Sequence, residues 1–564
     1  MDTFSARLQQ LYETSAERPA LYLLQPRQAD VCLTYRDLIH GAASYANALA
    51  AAGVQPGEVV IIILQHSEAL VYAFWGAVLH GAIPSIMPFL TEKLQPEQYR
   101  RSLAALFEIT TPAAIITYPE FVAELPPASL SPGVQTPRVL VSTEKHPEPV
   151  EGTLNFASLR GGERRPEDIV LLQHSSGTTG LQKGVALSHR AVFNQLESYA
   201  EALQLRSEDV VVSWLPLYHD MGLIAGFILP VLNGLPLVLM SPFDWVRAPY
   251  KLLQAVSRYK GTLSWLPNFA YNFCAQKIRD RDLAGVDLSS WRAISNCSEP
   301  VHLKSHQMFA KRFAPYGLRP EALMTCYAMA ENVFAVTQGG GSAPLSVDVI
   351  SARGFFAERR ARPPEAGELS MTLLSCGTPI AGTRLKVVDD QQSDLPERRL
   401  GEIALQSNCM LSEYYRRPDA TAGAFRDGWY LTGDLGYLAN GELYVTGRKK
   451  DLIIVGGKNV YPQDLETLAA EVPGVHPGRV AAFGVFSEDL GTEEVALVAE
   501  MDDFAAEEAV RLAEEIRQHV TRGSDVALRY VRVVERGWLL KTSSGKIARS
   551  ANRDKYLAER SDGS

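Results

Sequence analysis

Eight of the ten residues Ser175-Ser176-Gly177-Thr178-Thr179-Gly180-Leu181-Gln182-Lys183-Gly184 are Ser, Thr, Gly or Lys, and none is a carboxylate. Such a loop offers bare backbone N–H groups, hydroxyl donors and one cation, the donor set that a polyphosphate requires. Its glycines let the backbone approach an anion closely. A Walker-type P-loop would need Gly, four residues, then Gly-Lys-Ser/Thr opening a helix. Here Gln182 stands five residues after Gly177 and Lys183 is followed by Gly184, so that pattern fails. Apolar runs at 169–172 and 184–187 flank the loop and read as strands, making it the tip of a hairpin. A Ser/Gly run on a surface loop is the ordinary alternative. A lysine at this spacing between paired strands favours phosphate.

Other segments carry compatible chemistry. Trp429-Tyr430-Leu431-Thr432-Gly433-Asp434 ends a strand with a carboxylate that could accept from both hydroxyls of a ribose, and Arg448, fourteen residues on, could donate to the same sugar. Lys541-Thr542-Ser543-Ser544-Gly545-Lys546 puts another lysine in a Ser/Gly loop near the C-terminus. Tyr327-Ala328-Met329-Ala330-Glu331 offers an aromatic face for a base and a carboxylate for a divalent cation. Taken singly, Asp434 reads as a turn aspartate, Glu331 as a helix-start carboxylate and Lys546 as a solvated tail lysine. In this order, behind a phosphate loop, chance explains them poorly.

The elements that must position these residues alternate between helix and strand. Tyr35 opens a helical run through Ala51, Gly53 stops it, and 59–63 is a continuous apolar strand. A helix over 67–80 follows. Such alternation predicts parallel sheets covered on both faces. Residues 124–168, rich in Pro, Glu and Gly, read as a surface excursion. Near residue 447 the character changes: Gly447-Arg448-Lys449-Lys450-Asp451 lies between strand-like runs at 442–445 and 452–455. Beyond it, Pro462 suits the first turn of a short helix, strands are expected at 480–485, 495–500 and 530–534, and a helix over 505–520 spaces Ala509, Leu512, Ile516 and Val520 on one face. Two domains are therefore expected, 1–447 and 448–564.

At 564 residues the chain is too long for one core. Hydrophobic residues at 46% and charged residues at 21% are ordinary for a soluble protein, and a net charge of −9 gives no footprint for nucleic acid. Six scattered cysteines without CxxC spacing indicate neither a zinc site nor a disulfide framework, and fit a reducing cytoplasm. The apolar run 223–240 nominally reaches membrane-spanning length. Pro230, Gly234 and Pro236 inside it predict a buried helix, a turn and a short inner strand instead.

Together these motifs resemble the acyl-adenylate-forming superfamily over about residues 5–557. Within it the chain looks most like the fatty acyl-AMP ligases, through Trp214-Leu215-Pro216-Leu217-Tyr218-His219-Asp220-Met221-Gly222-Leu223, Pro267-Asn268-Phe269-Ala270-Tyr271, Leu288-Ser289-Ser290-Trp291-Arg292, Ser375-Cys376-Gly377 and Tyr461-Pro462-Gln463-Asp464-Leu465-Glu466. Residues 339–373 fall where that subfamily carries an extra segment. Asn296-Cys297-Ser298-Glu299-Pro300 departs from the usual Asn-Gly-Ala-Glu-Pro, Ala328 stands where a Gly is usual, and Gly456-Gly457-Lys458-Asn459 looks closer to acyl-CoA synthetases.

The resemblance implies an α/β fold, with a large multi-sheet N-terminal domain and a small mobile α+β C-terminal domain that swivels about Lys450. It implies ATP- and Mg²⁺-dependent conversion of a fatty or related carboxylic acid to acyl-AMP with release of pyrophosphate. The acyl group then passes to the phosphopantetheine thiol of an acyl carrier protein. Free coenzyme A as acceptor is the rival reading, and a nucleotide-binding protein without catalysis is a more distant one. By the same resemblance Ser175, Ser176, Gly177, Thr178, Thr179, Gly180 and Lys183 hold phosphates. Ser298, Glu299, Pro300 and Tyr327 frame adenine, Ala328, Met329 and Ala330 belong to the same nucleotide site, and Asp434 and Arg448 bind ribose. Thr178 and Glu331 hold the metal, Lys546 joins them as a catalytic residue, and His219 and Trp265 wall the acyl pocket.

Overall fold

Strands that must be buried on both faces need unbroken apolar sequence, and Val59–Ile63, Val-Val-Ile-Ile-Ile, is such a run with every residue buried. It pairs in parallel with Ile83–Ile86 on one side and Ala114–Thr117 on the other, and Arg138–Val141 extends the sheet in parallel as its edge. The chain crosses between the first two strands through the helix Glu68–His80. Ser67 caps its start by accepting from the Leu70 amide, and Gly81, at φ 83°, ends it. Before it, Tyr35–Ala51 opens with a reciprocal capping box between Thr34 and Asp37. In this computed structural model the described residues are 3–561 except 27, 91–95, 126–136, 144–146, 148–149, 151, 175–182, 342–343, 456–457, 488–491, 503, 525, 527 and 543–544.

A larger sheet of nine strands carries the short parallel strands Val211–Ser213, Leu237–Leu239, Leu263–Leu266, Ala293–Asn296 and Leu323–Ala328 side by side. In open α/β sheets ligands bind beyond the carboxyl ends of such strands. Trp214, Pro267, Cys297–Pro300 and Met329–Glu331 all follow those ends. The hairpin expected around the phosphate loop is present: Ile169–His174 and Gly184–Ser188 pair antiparallel out to His174 opposite Gly184, and Glu413–Tyr414 adds a third strand. A further sheet contains Trp429–Ala439 and Glu442–Arg448, whose register sets Asp434 directly opposite Arg448.

Downstream of Asp451, strands Val475–Ser487, Thr492–Met501 and Leu528–Glu535 form one sheet with helices Pro462–Ala470, Ala506–Gly523 and Arg549–Ser561. Ala509, Leu512, Ile516 and Val520 are the buried residues of the middle helix, as their spacing requires. They close a core with Leu465, Ala469 and Leu497 that is separate from the main one. The described part of 339–373 forms a strand, Val347–Ser351, a helix, Ala352–Glu358, and the start of a partner strand, Ser370–Leu374. Phe355 of that helix packs on Tyr461, with ring centroids 5.3 Å apart, and so touches the start of the C-terminal unit.

Two expectations met the structure differently. The run 223–240 resolves as expected into buried pieces: a helix with i→i+5 bonding, Met221–Ile228, one α-turn, Leu229–Asn233, the left-handed Gly234 and the strand Leu237–Leu239. Among the described residues no helix is long and apolar enough to cross a membrane. The stretch 124–168, read as a surface excursion, is more integrated than its composition suggests. It supplies the edge strand Arg138–Val141, buries Leu159, and brings Gly161 so close to Ser5 that a Cβ would lie 2.4 Å from its Oγ.

Gly222 fixes the loop ahead of it by the same kind of approach, since a Cβ there would stand 2.2 Å from the Pro216 carbonyl oxygen. Gly222→Ala must push back the Pro216–His219 turn and is expected to destabilise the protein by about 1–3 kcal/mol, the range for overpacking. Unfolding of the purified variant measures this; a midpoint equal to the parent's would show that the approach carries no strain.

Candidate active site

Asp434 anchors the site. Only 9% exposed, it accepts a hydrogen bond from the Tyr327 hydroxyl at 2.6 Å and pairs with Arg448 Nε at 3.2 Å. Its backbone amide donates to Thr432 Oγ1 at 3.0 Å, and Gly433 takes a left-handed φ of 71° where the strand's pairing with its neighbour shifts register. Burial, then the charge of Asp434, pushes the Tyr327 phenol well above its usual range, so it remains a donor. Asp434 in turn raises the Arg448 guanidinium. Three residues expected to act on one nucleoside thus form a single hydrogen-bonded cluster.

Glu331 lies in a 3₁₀ turn, Ala330–Asn332, immediately beyond the strand that carries Tyr327. The Tyr414 hydroxyl donates to its Oε1 at 2.9 Å and lies 2.9 Å from the Tyr430 hydroxyl. Burial pushes the Glu331 carboxyl above the usual carboxylate range. The Lys183 ammonium sits 4.5 Å from the centroid of the Tyr414 ring, a cation–π contact that links the end of the phosphate loop to Glu331. Ser175, Ser176, Gly177, Thr178, Thr179 and Gly180 lie outside the described residues. Among the described residues no three His, Cys, Asp or Glu side chains cluster as a metal cage. A lone carboxylate suits a small hard cation that keeps its waters and binds phosphate oxygens.

The floor of the site is strained. Val333 has φ 63° and ψ −56°, and the Phe334 amide donates to the Asn332 carbonyl at 2.6 Å across it. That is a γ-turn of the rare hand on a β-branched residue, costing on the order of 1–3 kcal/mol. Ser298 also takes a left-handed φ of 67°. Next to it the Glu299 carboxylate accepts from the Phe269 amide at 3.0 Å, which ties the 296–300 segment to the neighbouring strand's end. Pro300 follows, and Met329 holds the turn by donating its amide to the Phe334 carbonyl at 2.8 Å.

His219 is largely buried, with Nδ1 2.6 Å from Asp220 Oδ1. The Met221 amide donates to the same oxygen at 2.7 Å and to His219 Nδ1 at 3.3 Å, so one backbone amide and one carboxylate together fix the Nδ1 edge of the imidazole. Burial resists ionisation of Asp220, yet its carboxyl is held below the usual range by His219 and Lys546. Trp265 is 1% exposed and its indole N–H donates to the Tyr199 hydroxyl at 2.8 Å, so it belongs to the inner layer of the core. In the same segments Trp214 stacks on the fully buried Trp245 at 3.6 Å, with Phe269, which is exposed, edge-on to both.

Lys546 completes the cluster from the far end of the chain. Loss of hydration and then the charge of Arg448 hold its ammonium below the usual lysine range, while Asp220, Glu299 and Asp434 pull it back up. All four belong to segments already described, so Lys546 lies within charge–charge range of that cluster. Lys450 is exposed in the turn Lys449–Asp451, and its neighbour Lys449 is paired with Glu402 at 3.0 Å and Asp390 at 3.3 Å.

The AMP-binding enzyme family matches residues 8–415 of this chain. The chain belongs to that family. This AMP-binding enzyme is 34% identical over 407 residues to the medium-chain-fatty-acid–[acyl-carrier-protein] ligase JamA of Moorena producens, covering 69% of this chain and 68% of JamA. It is 30% identical over 534 residues to a Caulobacter vibrioides protein named provisionally as an acyl-CoA synthetase, covering 93% and 90% of the two chains. A solved structure from work on fatty acyl-adenylate ligases of E. coli and L. pneumophila superposes with a TM-score of 0.89 at 27% identity, over 100% of this chain and 99% of that one.

Sequence reasoning missed Tyr414, Tyr430 and Asp220 in this AMP-binding enzyme. Asp220 was visible as the partner next to His219. Tyr414 had no local signal, because it reaches Glu331 from 83 residues away. The opposed charges around Lys546 give a direct expectation: its ammonium titrates below the ordinary 10.5. Asp220→Asn removes an attraction and lowers it further; Arg448→Met removes a repulsion and raises it. Titration of ¹³Cε-labelled lysine by NMR reads these shifts. Indifference to both substitutions would mean that Lys546 does not enter the cleft in solution.

Proposed function

We propose that this enzyme uses ATP to activate a fatty or related carboxylic acid as acyl-AMP, releasing pyrophosphate, and then transfers the acyl group to the phosphopantetheine thiol of an acyl carrier protein. The observation that carries the first half is the convergence of Lys546 with Asp434, Arg448, Asp220 and Glu299 in one cleft. Units 1–447 and 448–564 are the two domains, with Lys450 as hinge.

In the first step a carboxylate oxygen attacks the α-phosphorus in line with the departing pyrophosphate. Both partners are anions, so the protein's work is positioning and neutralisation. Asp434 and Arg448 hold the ribose, Tyr327 fixes Asp434, and Ser298, Glu299, Pro300 and the 328–330 backbone frame the base. The 175–180 loop and Lys183 hold the β- and γ-phosphates. Thr178 and Glu331 would hold Mg²⁺, which when bound screens phosphate charge. Lys546 bridges the carboxylate and the α-phosphate where negative charge gathers; a compact ammonium suits that place better than a planar fork. His219 and the Trp214–Trp245 wall border the acyl group.

Transfer needs the thiol to reach the acyl-AMP where Lys546 stood, so the small domain must turn. The acceptor follows from the likeness to JamA, whose name gives a carrier protein. Surface charge adds little: of four cations that could dock an acidic carrier, Lys449 is neutralised by Glu402 and Asp390, and Arg479 by Glu500 at 3.3 Å. Lys450 remains, and the Lys458 side chain lies outside the described residues.

Purified protein with ATP, Mg²⁺ and a panel of carboxylic acids tests both halves. Lys546→Ala should lower acyl-AMP formation by ~10²–10³-fold, as for loss of one electrostatic stabiliser, and leave thioester formation from supplied acyl-AMP intact. Equal loss in both steps would misplace the lysine. Transfer to a holo carrier protein should exceed transfer to free coenzyme A by at least about tenfold in kcat/KM, or ~1.4 kcal/mol. Efficient acyl-CoA production would instead make this an acyl-CoA synthetase.

A further inference from the structure

The loop that carries Lys546 is held from below in two places. Lys541 and Ile547 form an antiparallel bridge at its base, and within it the Thr542 amide donates to the Lys546 carbonyl at 2.8 Å. Asn552, wholly buried, accepts from the Leu540 amide at 2.8 Å and donates to the carbonyls of Leu540 and Ala548, each at 2.9 Å. This staple fixes the loop to the helix Arg549–Ser561. The second hold is Arg549, three residues beyond Lys546. Its guanidinium forks onto Glu466, Nε to Oε1 at 2.7 Å and Nη2 to Oε2 at 2.6 Å. Its remaining arm, Nη1, donates to Asp451 Oδ2 at 2.8 Å. Side-chain exposures of 18% for Arg549, 14% for Glu466 and 7% for Asp451 leave the triad little solvent. Glu466 Oε1 also accepts from the Ala482 amide at 3.0 Å, which ties the clamp to the small sheet.

The position of Asp451 gives this cluster its meaning. It directly follows Lys450, and Glu466 and Arg549 also lie downstream of that residue. The clamp therefore survives any rotation about Lys450 and travels with it. We propose that Arg549 is a positioning residue, locking the hinge-side Asp451, the helix Pro462–Ala470 and the Lys546 loop into one rigid body, so that the hinge setting alone decides whether the ammonium reaches the cleft. The inference rests on the reading of Lys546 as the lysine of the first half-reaction. A bidentate guanidinium–carboxylate fork resists both bending and sliding, which a single ammonium cannot do.

The test uses the full-length protein with Arg549→Met, Arg549→Lys, Lys546→Ala and the double variant Lys546→Ala/Arg549→Met, each checked for cooperative unfolding. Decanoate serves as the probe acid. In folded Arg549→Met, kcat for pyrophosphate release should fall by about 10²-fold, the scale for a misplaced catalytic group, with KM for ATP held; Arg549→Lys should lie between this variant and the parent. The double variant should be no slower than Lys546→Ala alone, since a residue acting only through the lysine has nothing left to position. Independently of any substrate, the ¹³Cε titration of Lys546 should move back toward an ordinary lysine in Arg549→Met. A folded Arg549→Met with the parent's Lys546 titration, or losses that multiply in the double variant, overturns the proposal. If Lys546→Ala keeps full activity, the reading of the lysine itself has failed, a result distinct from either. Should Arg549→Met not fold, Arg549→Lys carries the same two readouts.

Discussion

In the proposed mechanism one cation has to be brought to a place where two anions meet. That requirement governs the arrangement of this enzyme. Lys546 sits among Arg448, Asp220, Glu299 and Asp434, with loss of hydration as the largest influence on its charge. An ammonium left in bulk water at the same point would be screened to a small fraction of its effect. The cleft beyond the parallel strands supplies the fixed carboxylates, and a separately cored C-terminal unit supplies the lysine. On the function proposed above, holding the two on different bodies is what would let the same position be vacated for a thiol.

The rest of the site is tied together by contacts that do not involve that lysine. Tyr327, Asp434 and Arg448 form a closed cluster across two sheets. Tyr414 reaches from the strand beside the phosphate hairpin to Glu331, and Lys183 rests on its ring. Two of the residues with positive φ, Ser298 and Val333, lie beside the ends of strands that open onto the cleft. Strain of this kind persists only where dense packing over-determines it. At Val333 the buried Asn332 and Phe334 on either side do so.

Much of this was legible in the sequence because it is local. An unbroken apolar run identified the inner strand Val59–Ile63, and the run from Tyr35 to Ala51 ahead of Gly53 matches the helix observed. Three- and four-residue spacing picked out the buried face of Ala506–Gly523. The phosphate hairpin was readable from the strands that flank it, although its tip lies outside the described residues. What stayed hidden depends on partners far apart in the chain. Tyr414 meets Glu331, and Arg549 meets Glu466, each across 83 residues. Composition misled at 124–168, where Pro and Gly mask an edge strand, and steric preference would assign glycine to the position that Val333 occupies. Trp265 bonds to Tyr199, a pairing no local pattern announces.

Isotope transfer tests the acid-activating chemistry most directly. The enzyme is given a fatty acid carrying ¹⁸O in both carboxylate oxygens, with ATP and an acceptor thiol, and the products are weighed by mass spectrometry. Attack of the carboxylate on the α-phosphorus makes one labelled oxygen the bridge of acyl-AMP, and thiol attack at the carbonyl leaves that oxygen on AMP. AMP with one ¹⁸O, a thioester with the other and unlabelled pyrophosphate is the expected result. Unlabelled AMP, or label appearing in orthophosphate alongside ADP, would contradict acyl-adenylate formation at this site.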